Sequence, residues 1–478
     1  MINGIVAAVN GVLWGETFTL FGIGIPLLLP MLVLCGVWFT VKLGFVQIRH
    51  FGHMFSIMKG SNKRDDAGQG ISSFQALCTS LSARVGTGNL AGVAVAISLG
   101  GAGAIFWMWV IALLGMATGF AESVLGQLYK VKDKRGEFRG GPAYYIQQGL
   151  NQRWLAIAFS LCLFLGYGFI FSAVQANTIT DALAHAYDIP TLYSGLVIVF
   201  ITVLIVVGGM KRIARFSEYV VPFMGVIYLF VALGITLYHW QDIPALLWQI
   251  VASALGLEEA AGGALGAAIK NGIQRGLYSN EAGSGSVPHA AAAATPTPNH
   301  PVSQGYVQML GVFFDTLVLC TCTAFIILLA GGGQMEKMEG IRLTQNAMSY
   351  HLGANGSDFV AAAIAIFAFT SVVANYAYGE SNLKMFRLDN KIGRIVYTIG
   401  YLAMILWGAN AALPQVWAMA DMALGMMTVI NIIAIVWLTP TIVAISRHYF
   451  AKHDNGAEIT YRHGECKIQG KGNQDIWD

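Results

Sequence analysis

Long apolar segments separated by short polar loops run through almost the whole chain. About 20 apolar residues in a helix cross the hydrocarbon of a bilayer, so the long segments predict membrane spans. They predict eleven spans, at residues 18–43, 70–99, 104–129, 154–184, 191–207, 217–238, 260–282, 304–330, 359–379, 392–411 and 413–445. Shorter apolar stretches at 5–14, 243–255 and 343–351 predict interfacial, re-entrant or surface helices. The pattern therefore indicates an all-α polytopic membrane protein.

The second span is interrupted at its centre by Ser82-Ala83-Arg84-Val85-Gly86-Thr87-Gly88-Asn89. Bare backbone N–H and C=O groups in lipid cost several kcal/mol each, so an unwound break must be covered by protein or face a wet cavity. Transporters bind their ligands at such breaks. The alternative is a kinked packing helix, because 88–92 has the small-xxx-small spacing of tight helix pairs. A nucleotide-binding loop is excluded, since no strand precedes the glycines and no lysine follows at the required spacing.

A second glycine-rich stretch, 260–268, opens a later span and predicts a second break there. Interrupted helices at corresponding positions in two halves indicate an inverted-repeat transporter. We therefore expect Gly263 and Gly266 to line the substrate site. The expected parts are an N-terminal segment with one extra span and a cytoplasmic loop (1–69), a first five-helix repeat (70–238), an extracytoplasmic re-entrant or interfacial segment (239–259), a second five-helix repeat (260–445) and a cytoplasmic tail (446–478).

Composition and charge support a membrane protein and predict its orientation. Of the 478 residues, 56% are hydrophobic and 11% are charged, whereas about 25% of an average soluble chain is charged. Most of the 28 lysines and arginines fall in alternate loops, which the positive-inside rule assigns to the cytoplasm. We expect the N-terminus outside, the C-terminus inside and a location in the cell (inner) membrane. A net charge of +3, carried between spans, does not suggest nucleic-acid binding, and the sequence does not indicate an oligomeric state.

Several motifs identify a family. They are Arg84-Val85-Gly86-Thr87-Gly88-Asn89-Leu90-Ala91-Gly92-Val93-Ala94, Gly103-Ala104-Ile105-Phe106-Trp107-Met108-Trp109, Gly140-Gly141-Pro142-Ala143-Tyr144-Tyr145, Arg275-Gly276, Ser279-Asn280-Glu281-Ala282-Gly283, Gly285-Ser286 and Phe369-Thr370-Ser371. Together they resemble the alanine or glycine:cation symporter family, whose members look like the leucine-transporter fold superfamily. The resemblance implies a leucine-transporter-like fold and import of alanine or glycine, coupled to sodium ions by alternating access.

The break predicts a carboxylate site. If the helix unwinds there, the N–H groups of Thr87 and Gly88 face the carboxylate of an amino acid, with the positive end of the next half-helix behind them. By resemblance, Asn89 ligates the substrate or a cation, and Gln175 contacts the substrate; the alternative for Gln175 is a hydrogen bond between helices. The resemblance also implies that Asn375, where many members have tryptophan, lies at the substrate site.

The resemblance further implies a sodium site. The backbone carbonyls of Ser82 and Val85 would face the ion, and the hydroxyls of Thr370 and Ser371 would complete its oxygen shell. The alternative for both hydroxyls is a hydrogen bond to a carbonyl of their own helix, which is common in membrane helices.

Several charged residues fall inside predicted spans, and one base and two acids among them are candidates for a functional role. Arg84, Glu122 and Asp315 are expensive in a bilayer unless they are paired or hydrated. Arg84, Lys270 and Arg275 are candidate partners for the two acids, with Arg84 favoured, or else Asp315 lies on a cation or proton path. Proton coupling and a larger neutral substrate such as glutamine remain open, and an ion channel is a remote alternative. An enzyme is not indicated, because no activated nucleophile or metal-ligand set is evident.

Overall fold

The structure is mainly helical. This computed structural model describes residues 2–20, 23–59, 61, 70–134, 136–207, 209–257, 261–331 and 338–477. Its α-helices are α1 Ile2–Leu13, α2 Leu28–Lys42, α3 Val46–Arg49, α4 Phe51–Met58, α5 Ser73–Arg84, α6 Val93–Gly100, α7 Gly103–Leu128, α8 Pro142–Gly149, α9 Arg153–Leu165, α10 Phe171–Tyr187, α11 Thr191–Val206, α12 Gly209–Tyr238, α13 Ile243–Leu255, α14 Ala261–Asn280, α15 Val287–Ala293, α16 Pro301–Val312, α17 Thr321–Leu329, α18 Ile341–Leu352, α19 Asn355–Asn382, α20 Lys391–Asn410, α21 Leu413–Trp437 and α22 Thr439–Asp454.

Short elements complete the fold. A π-helical turn at Gly88–Gly92 precedes α6, and two others at Gly166–Ile170 and Phe313–Cys320 join α9 to α10 and α16 to α17. Strands Phe18–Leu20 (β1) and Ile23–Ile25 (β2) form one antiparallel hairpin. Strands Val131–Lys132 (β3) and Phe138–Arg139 (β4) form another.

Seven helices in the described part of the chain are long and apolar enough to cross a membrane. They are Gly103–Leu128, Arg153–Tyr187, Gly209–Tyr238, Pro301–Leu329, Asn355–Asn382, Lys391–Asn410 and Leu413–Trp437. Shorter apolar helices accompany them, including the second half of the interrupted helix at Gly88–Gly100. A multi-pass membrane protein is therefore confirmed, whereas the count of eleven spans and the inverted repeat stay predictions.

The predicted first span, 18–43, is wrong as a single helix. Its first part forms the β1–β2 hairpin, and α2 has 15 residues, a rise of about 22 Å against roughly 30 Å of hydrocarbon. Pro26 and Pro30 explain the late start, because proline is tolerated only in the first turn of a helix.

The predicted last span, 413–445, is also divided. It consists of α21 and α22, which meet at Leu438, and α22 carries a proline in its first turn. Pro440 lacks the N–H that would continue α21, so a new helix begins there. The short apolar stretches 5–14, 243–255 and 343–351 correspond to α1, α13 and α18, which confirms their helical prediction.

Long helix α7 packs closely on both halves of a second interrupted helix, α14 and α15. A Cβ atom added to Gly272 in α14 would lie 2.4 Å from the carbonyl oxygen of Ala104 in α7. One added to Gly126 in α7 would lie 2.8 Å from the carbonyl oxygen of Pro288 in α15. Only glycine permits these backbone approaches, which bring the second interrupted helix into the buried centre of the molecule.

Candidate functional site

The first interrupted helix is broken where the sequence predicts, but over a shorter stretch. Helix α5 ends at Arg84, Val85 is extended (φ −75°, ψ 98°), and helical geometry resumes at Thr87. Asn89 closes the break by accepting a hydrogen bond from the Gly86 N–H at 3.1 Å. Only Val85 and Gly86 therefore leave the helix, and Thr87 and Gly88 stand at the start of its second half.

The side chain of Gln175 in α10 occupies the hydrogen-bonding position at the N-terminal end of this second half-helix. Its side-chain oxygen accepts hydrogen bonds from the Thr87 N–H at 3.0 Å and from the Thr87 hydroxyl at 2.8 Å. Sequence reasoning expected the Thr87 N–H to be free for a carboxylate, whereas here an amide oxygen occupies that position. The structure thus brings Thr87 and Gln175 together at the break through a hydrogen bond between helices, and their role as substrate-site residues stays a prediction.

The predicted sodium ligands are only partly brought together. The Ser371 hydroxyl lies 3.3 Å from the Val85 carbonyl, so these two meet at the break, and it lies equally 3.3 Å from the Phe367 carbonyl of its own helix. The Thr370 hydroxyl instead donates to the Phe367 carbonyl of its own helix at 2.7 Å, which is the alternative that the sequence left open. The Ser82 hydroxyl is bonded to Ser217 at 2.7 Å. A Cβ on Gly86 would lie 2.5 Å from the Ser371 hydroxyl, which shows how tightly this corner is packed.

A buried carboxylate joins the two interrupted helices. Asp315, in the turn between α16 and α17, accepts hydrogen bonds from the Asn89 side-chain amide at 2.8 Å and from the Ser279 hydroxyl at 2.5 Å. The Thr316 hydroxyl adds a third at 2.8 Å. All four side chains are fully buried. Ser279 and Thr316 were not predicted as site residues, although Ser279 lies in a motif that carried the family resemblance.

The second break does not lie where the sequence predicts. Helix α14 runs unbroken from Ala261 to Asn280, and the chain leaves helical geometry at 281–286, where Glu281, Gly283 and Gly285 have positive φ. Three such residues in a row of six cannot continue a right-handed helix, which explains the position of the break.

Gly263 and Gly266 therefore lie far from the second break. The structure describes only the helical backbone at Gly263, whose surroundings lie outside the described side chains. Gly266 is about four turns of helix from the break. The neighbouring Ala267 carbonyl would lie 3.0 Å from a Cβ on Gly100, so this stretch packs against the far end of α6.

Glu122 in α7 stabilises the second break. One of its carboxylate oxygens accepts from the Gly283 N–H at 3.2 Å, and the other accepts from the Asn431 amide at 2.8 Å. Asn431 also donates to the Gly283 carbonyl at 2.9 Å. The acid therefore satisfies backbone groups that the unwound segment leaves without helical partners.

The predicted pairing of Arg84 with Asp315 or Glu122 is wrong. Arg84 donates to the carbonyl and side-chain oxygens of Gln308 at 3.4 and 3.3 Å. Within the described residues its guanidinium forms no salt bridge, because both acids are engaged by neutral donors at the two breaks.

A small cavity of about 10 Å³ lies between the breaks. Its walls combine polar and aromatic side chains, from Ala83, Arg84, Tyr167, Phe171, Gln175, Tyr278, Glu281, Asn375 and Leu424. Among the described residues, three buried polar atoms of this wall lack a hydrogen-bond partner: Arg84 Nε, the Tyr278 hydroxyl and Asn375 Oδ1. A cavity of this size holds about one water molecule. The cavity therefore has polar residues in its wall, but it has no room for an amino acid unless the wall side chains move.

Comparison with known proteins gives a consistent assignment. The model of the sodium:alanine symporter family matches residues 1–463. The amino-acid carrier protein AlsT of Bacillus subtilis (strain 168) is 43% identical over 94% of each chain. The probable sodium/glutamine symporter GlnT of the same organism is 42% identical over 96% of this chain and 93% of its own.

A solved structure supports the fold. The Eremococcus coleocola manganese transporter aligns over 78% of each chain at 12% sequence identity, with a TM-score of 0.52. This identity shows a shared fold alone. The family match and the identities to relatives extend over nearly the whole chain, and the interrupted helices meet at one buried polar site. The chain belongs to the sodium:alanine symporter family of multi-pass membrane transporters.

Proposed function

We propose that this protein imports a small neutral amino acid, alanine or glycine, together with sodium ions by alternating access. The observation that carries the proposal is the meeting of both interrupted helices at one small polar cavity. Residues 70–238 and 260–445 would form the two repeats that move relative to each other around this site. Coupling arises because substrate and cation organise the same broken helix, so that each favours binding of the other.

The substrate carboxylate binds at the first break in this proposal. The Thr87 N–H and hydroxyl already bind an acceptor oxygen, that of Gln175, at the N-terminal end of a half-helix. A carboxylate adds negative charge matched to that end, which a neutral amide lacks. Gln175 would then turn to donate its amide N–H to the bound substrate.

A small substrate fits the walls best. Tyr167, Phe171 and Tyr278 crowd the cavity, whose volume is about 10 Å³. Their rings must move to admit even alanine, and each further heavy atom of substrate requires a larger displacement of a close-packed wall.

Two oxygen clusters are candidates for the coupling ion. One is the Val85 carbonyl with the Ser371 hydroxyl; the other is Asp315 with Ser279 and Thr316. Hard cations prefer oxygen ligands, and carboxylates are the strongest of these. The Asp315 cluster offers a full negative charge and contacts both interrupted helices, so we favour it, with the Ser371 cluster as a second position.

A larger neutral amino acid such as glutamine is the second candidate substrate, and protons are the second candidate coupling ion. Asn375 Oδ1 is buried at the cavity without a partner among the described residues. An amide or hydroxyl of a polar substrate could donate to it. The 42% identity to a protein named as a probable sodium/glutamine symporter points the same way.

We further propose that the protein lies in the cell (inner) membrane with its N-terminus outside and its C-terminus in the cytoplasm. The excess of lysine and arginine in alternate loops supports this orientation. A C-terminal reporter that is modified from outside intact cells would contradict it.

Counterflow tests the function. The protein is reconstituted in proteoliposomes loaded with unlabelled alanine, and entry of labelled alanine is measured with sodium and with potassium at both faces. Glutamine, serine and glycine serve as competitors. We expect counterflow that depends on sodium. Glycine should compete strongly with labelled alanine, and glutamine should compete weakly. Sodium-independent counterflow would contradict sodium coupling, and stronger competition by glutamine would favour the larger substrate.

A further inference from the structure

The C-terminal segment 461–477, here called the strap, is docked on the protein. It follows the last helix, α22, which ends at Asp454. Tyr461 and Trp477 are 1% and 2% exposed, and their rings lie 5.6 Å apart. The family match ends at residue 463, before most of this segment. The strap is therefore an ordered part of the molecule for which the family assignment supplies no role.

Three strap residues bind the end of α7. The Trp477 indole N–H donates to the Leu128 carbonyl at 3.3 Å, and the Tyr129 hydroxyl donates to the Gln469 carbonyl at 2.5 Å. The Asn473 amide donates to the carbonyl of Lys130 at 3.4 Å. Trp477 thus satisfies the carbonyl of the last residue of α7, a group that a helix C-terminus leaves without a helical partner, and the other two bonds fix the strap to the residues that follow.

The strap also spans two neighbouring elements. Its Lys471 N–H donates to the Gln148 carbonyl at the end of α8, at 3.0 Å. Gln469 binds the junction of α21 and α22, where its N–H donates to the Thr441 hydroxyl at 2.9 Å. Gly470 has φ +68°, and a Cβ there would lie 1.9 Å from the Gln148 carbonyl, so the path of the strap requires a glycine.

Lys130 connects the strap to the interrupted helices. Its ammonium group lies 5.0 Å from the centre of the Trp477 ring and 4.2 Å from that of Phe138. The same group donates to the Ala294 carbonyl, just past the end of α15, at 2.9 Å. Trp477 therefore covers the Lys130 side chain, which shares the Ala294 carbonyl with the side-chain amide of Gln127 in α7, 2.9 Å from the same oxygen.

The two interrupted helices are joined at the same place. Ile71, just before α5, donates its N–H to the Ala293 carbonyl at 3.1 Å and accepts from the Thr295 N–H at 3.0 Å. The strap adds a further contact nearby, from the Tyr461 N–H to the Asn299 carbonyl at 2.9 Å. A continuous series of contacts thus runs from Trp477 through Lys130 and Ala294 to Ile71.

We propose that the strap holds the adjoining ends of α5 and α15 closed, and that it must detach before the carrier opens to the cytoplasm. The proposal rests on the alternating access and the orientation proposed above. In that orientation the Ile71–Ala294 contact closes the cytoplasmic side of the cavity. Opening that side separates α5 from α15, and this moves the carbonyl to which Lys130 is bound. The strap, anchored on α7, α8 and the α21–α22 junction, opposes that movement.

Hydrogen exchange of the full chain in lipid nanodiscs tests the strap without any transport. Exchange is followed by mass spectrometry in the wild type, Trp477→Ala and Tyr129→Phe, with Trp240→Ala, a 66% exposed tryptophan, as the matched control. We expect the amides of Ile71 and Thr295 to exchange at least about tenfold faster in Trp477→Ala, because local opening sets their exchange. Tyr129→Phe, which removes one hydrogen bond, should give a smaller increase, and Trp240→Ala none.

The outcomes separate the strap from the proposed function. Suppose that exchange becomes faster only within 461–477, and that Ile71 and Thr295 are unchanged in both Trp477→Ala and Tyr129→Phe. That result would overturn the proposal that the strap holds α5 and α15 together. Faster exchange at Ile71 and Thr295 supports the strap proposal even if the protein shows no alanine counterflow, because the absence of counterflow counts against the proposed substrate alone. Where alanine counterflow is present, Trp477→Ala should also shorten its half-time.

Discussion

Asn89 and Asp315 face each other at the first break, with the amide nitrogen of Asn89 2.8 Å from a carboxylate oxygen of Asp315. Asn89 simultaneously accepts from the Gly86 N–H, so one side chain connects the broken backbone to a buried acid. A change of charge or ligand at Asp315 therefore acts directly on the geometry of the first break. In the proposed function, this contact is the physical route for coupling between cation and substrate.

Asp315→Asn should weaken sodium activation of alanine counterflow at least about tenfold, equivalent to about 1.4 kcal/mol. The substitution removes the negative charge and replaces one carboxylate oxygen with an NH₂ group, which then faces a donor, either the Asn89 amide or the Ser279 hydroxyl. Sodium titration of initial rates at saturating alanine measures the effect. Ser371→Ala, which removes the hydroxyl bound to the Val85 carbonyl, is the comparison.

Thr370→Ala is the matched control for that measurement, because its hydroxyl bonds within its own helix. We expect it to stay within about twofold of the wild type, since such back-bonding adds little to stability. A larger sodium shift for Ser371→Ala than for Asp315→Asn would move the principal cation site to Val85 and Ser371.

Asn375→Leu should reduce competition by serine and glutamine several-fold while leaving alanine counterflow within about twofold. The two side chains are similar in size, but leucine offers no acceptor, and a hydrogen bond contributes about 1 kcal/mol. Competition curves against labelled alanine measure the change. Unchanged curves would mean that Asn375 does not contact the substrate. The tryptophan that many family members carry there should sharpen the preference for glycine and alanine, but it would overfill the present cavity of about 10 Å³.

The sequence was sufficient for the helices and for the first break, because both depend on local signals. Apolar length predicts a membrane helix, and Arg84, Gly86 and Asn89 inside an apolar run predict an interruption. The position of the second break was predicted wrongly because its local signals resemble those of the end of a span. Glu281 and Gly283 lie at the end of an apolar run, where a polar motif reads as the end of a span. The glycines at 260–268 gave a more conspicuous but misleading signal.

Partners in space could not be read from sequence. Arg84 bonds to Gln308, more than two hundred residues away, and the sequence offered two acids as more obvious partners. Glu122 accepts a hydrogen bond from the Gly283 N–H. This N–H lacks a helical partner only because the second break lies there, so the contact could not be predicted without knowing the position of the break. The docking of Trp477 likewise depends on where α7 ends, which a polar tail sequence does not reveal.

Acidification should destabilise the protein through His300, which caps α16. Its Nδ1 accepts from the Val302 N–H at 3.1 Å, and its Nε2 faces His448. Burial, followed by the neighbouring His448, lowers the pKa of His300 from 6.5 to about 3. Between these values the unfolded chain binds a proton that the folded one does not. Stability therefore falls as the pH drops from about 6.5 toward about 3.

Melting temperatures of the detergent-solubilised protein at pH 7 and pH 5 measure this effect. His300→Asn is the informative variant, because asparagine is a good helix cap and does not titrate. We expect its melting temperature to fall less between the two pH values than that of the wild type. Equal falls would assign the pH dependence to other groups, such as His53, whose pKa burial lowers to about 4.

The substrate carboxylate should depend on the break rather than on Arg84. A Cβ on Gly88 would lie 3.2 Å from the Cα of Ser279, so the branched side chain of Gly88→Val collides with the backbone of α14 and displaces the Thr87 N–H. We expect this variant to lose alanine binding. Arg84→Lys keeps the charge but loses the forked contact with Gln308, so it should lower the melting temperature and the turnover more than the affinity.

Equilibrium binding of labelled alanine to both purified variants distinguishes the two assignments. Gly88→Ala serves as the control, because its single methyl requires a shift of only a few tenths of an ångström and should keep most of the affinity. Arg84 Nε reaches the cavity wall without a partner among the described residues, so it is the strongest competitor for the carboxylate. Retained affinity in Gly88→Val together with lost affinity in Arg84→Lys would make the guanidinium the carboxylate ligand, and the N-terminal end of the half-helix would then serve only to shape the break.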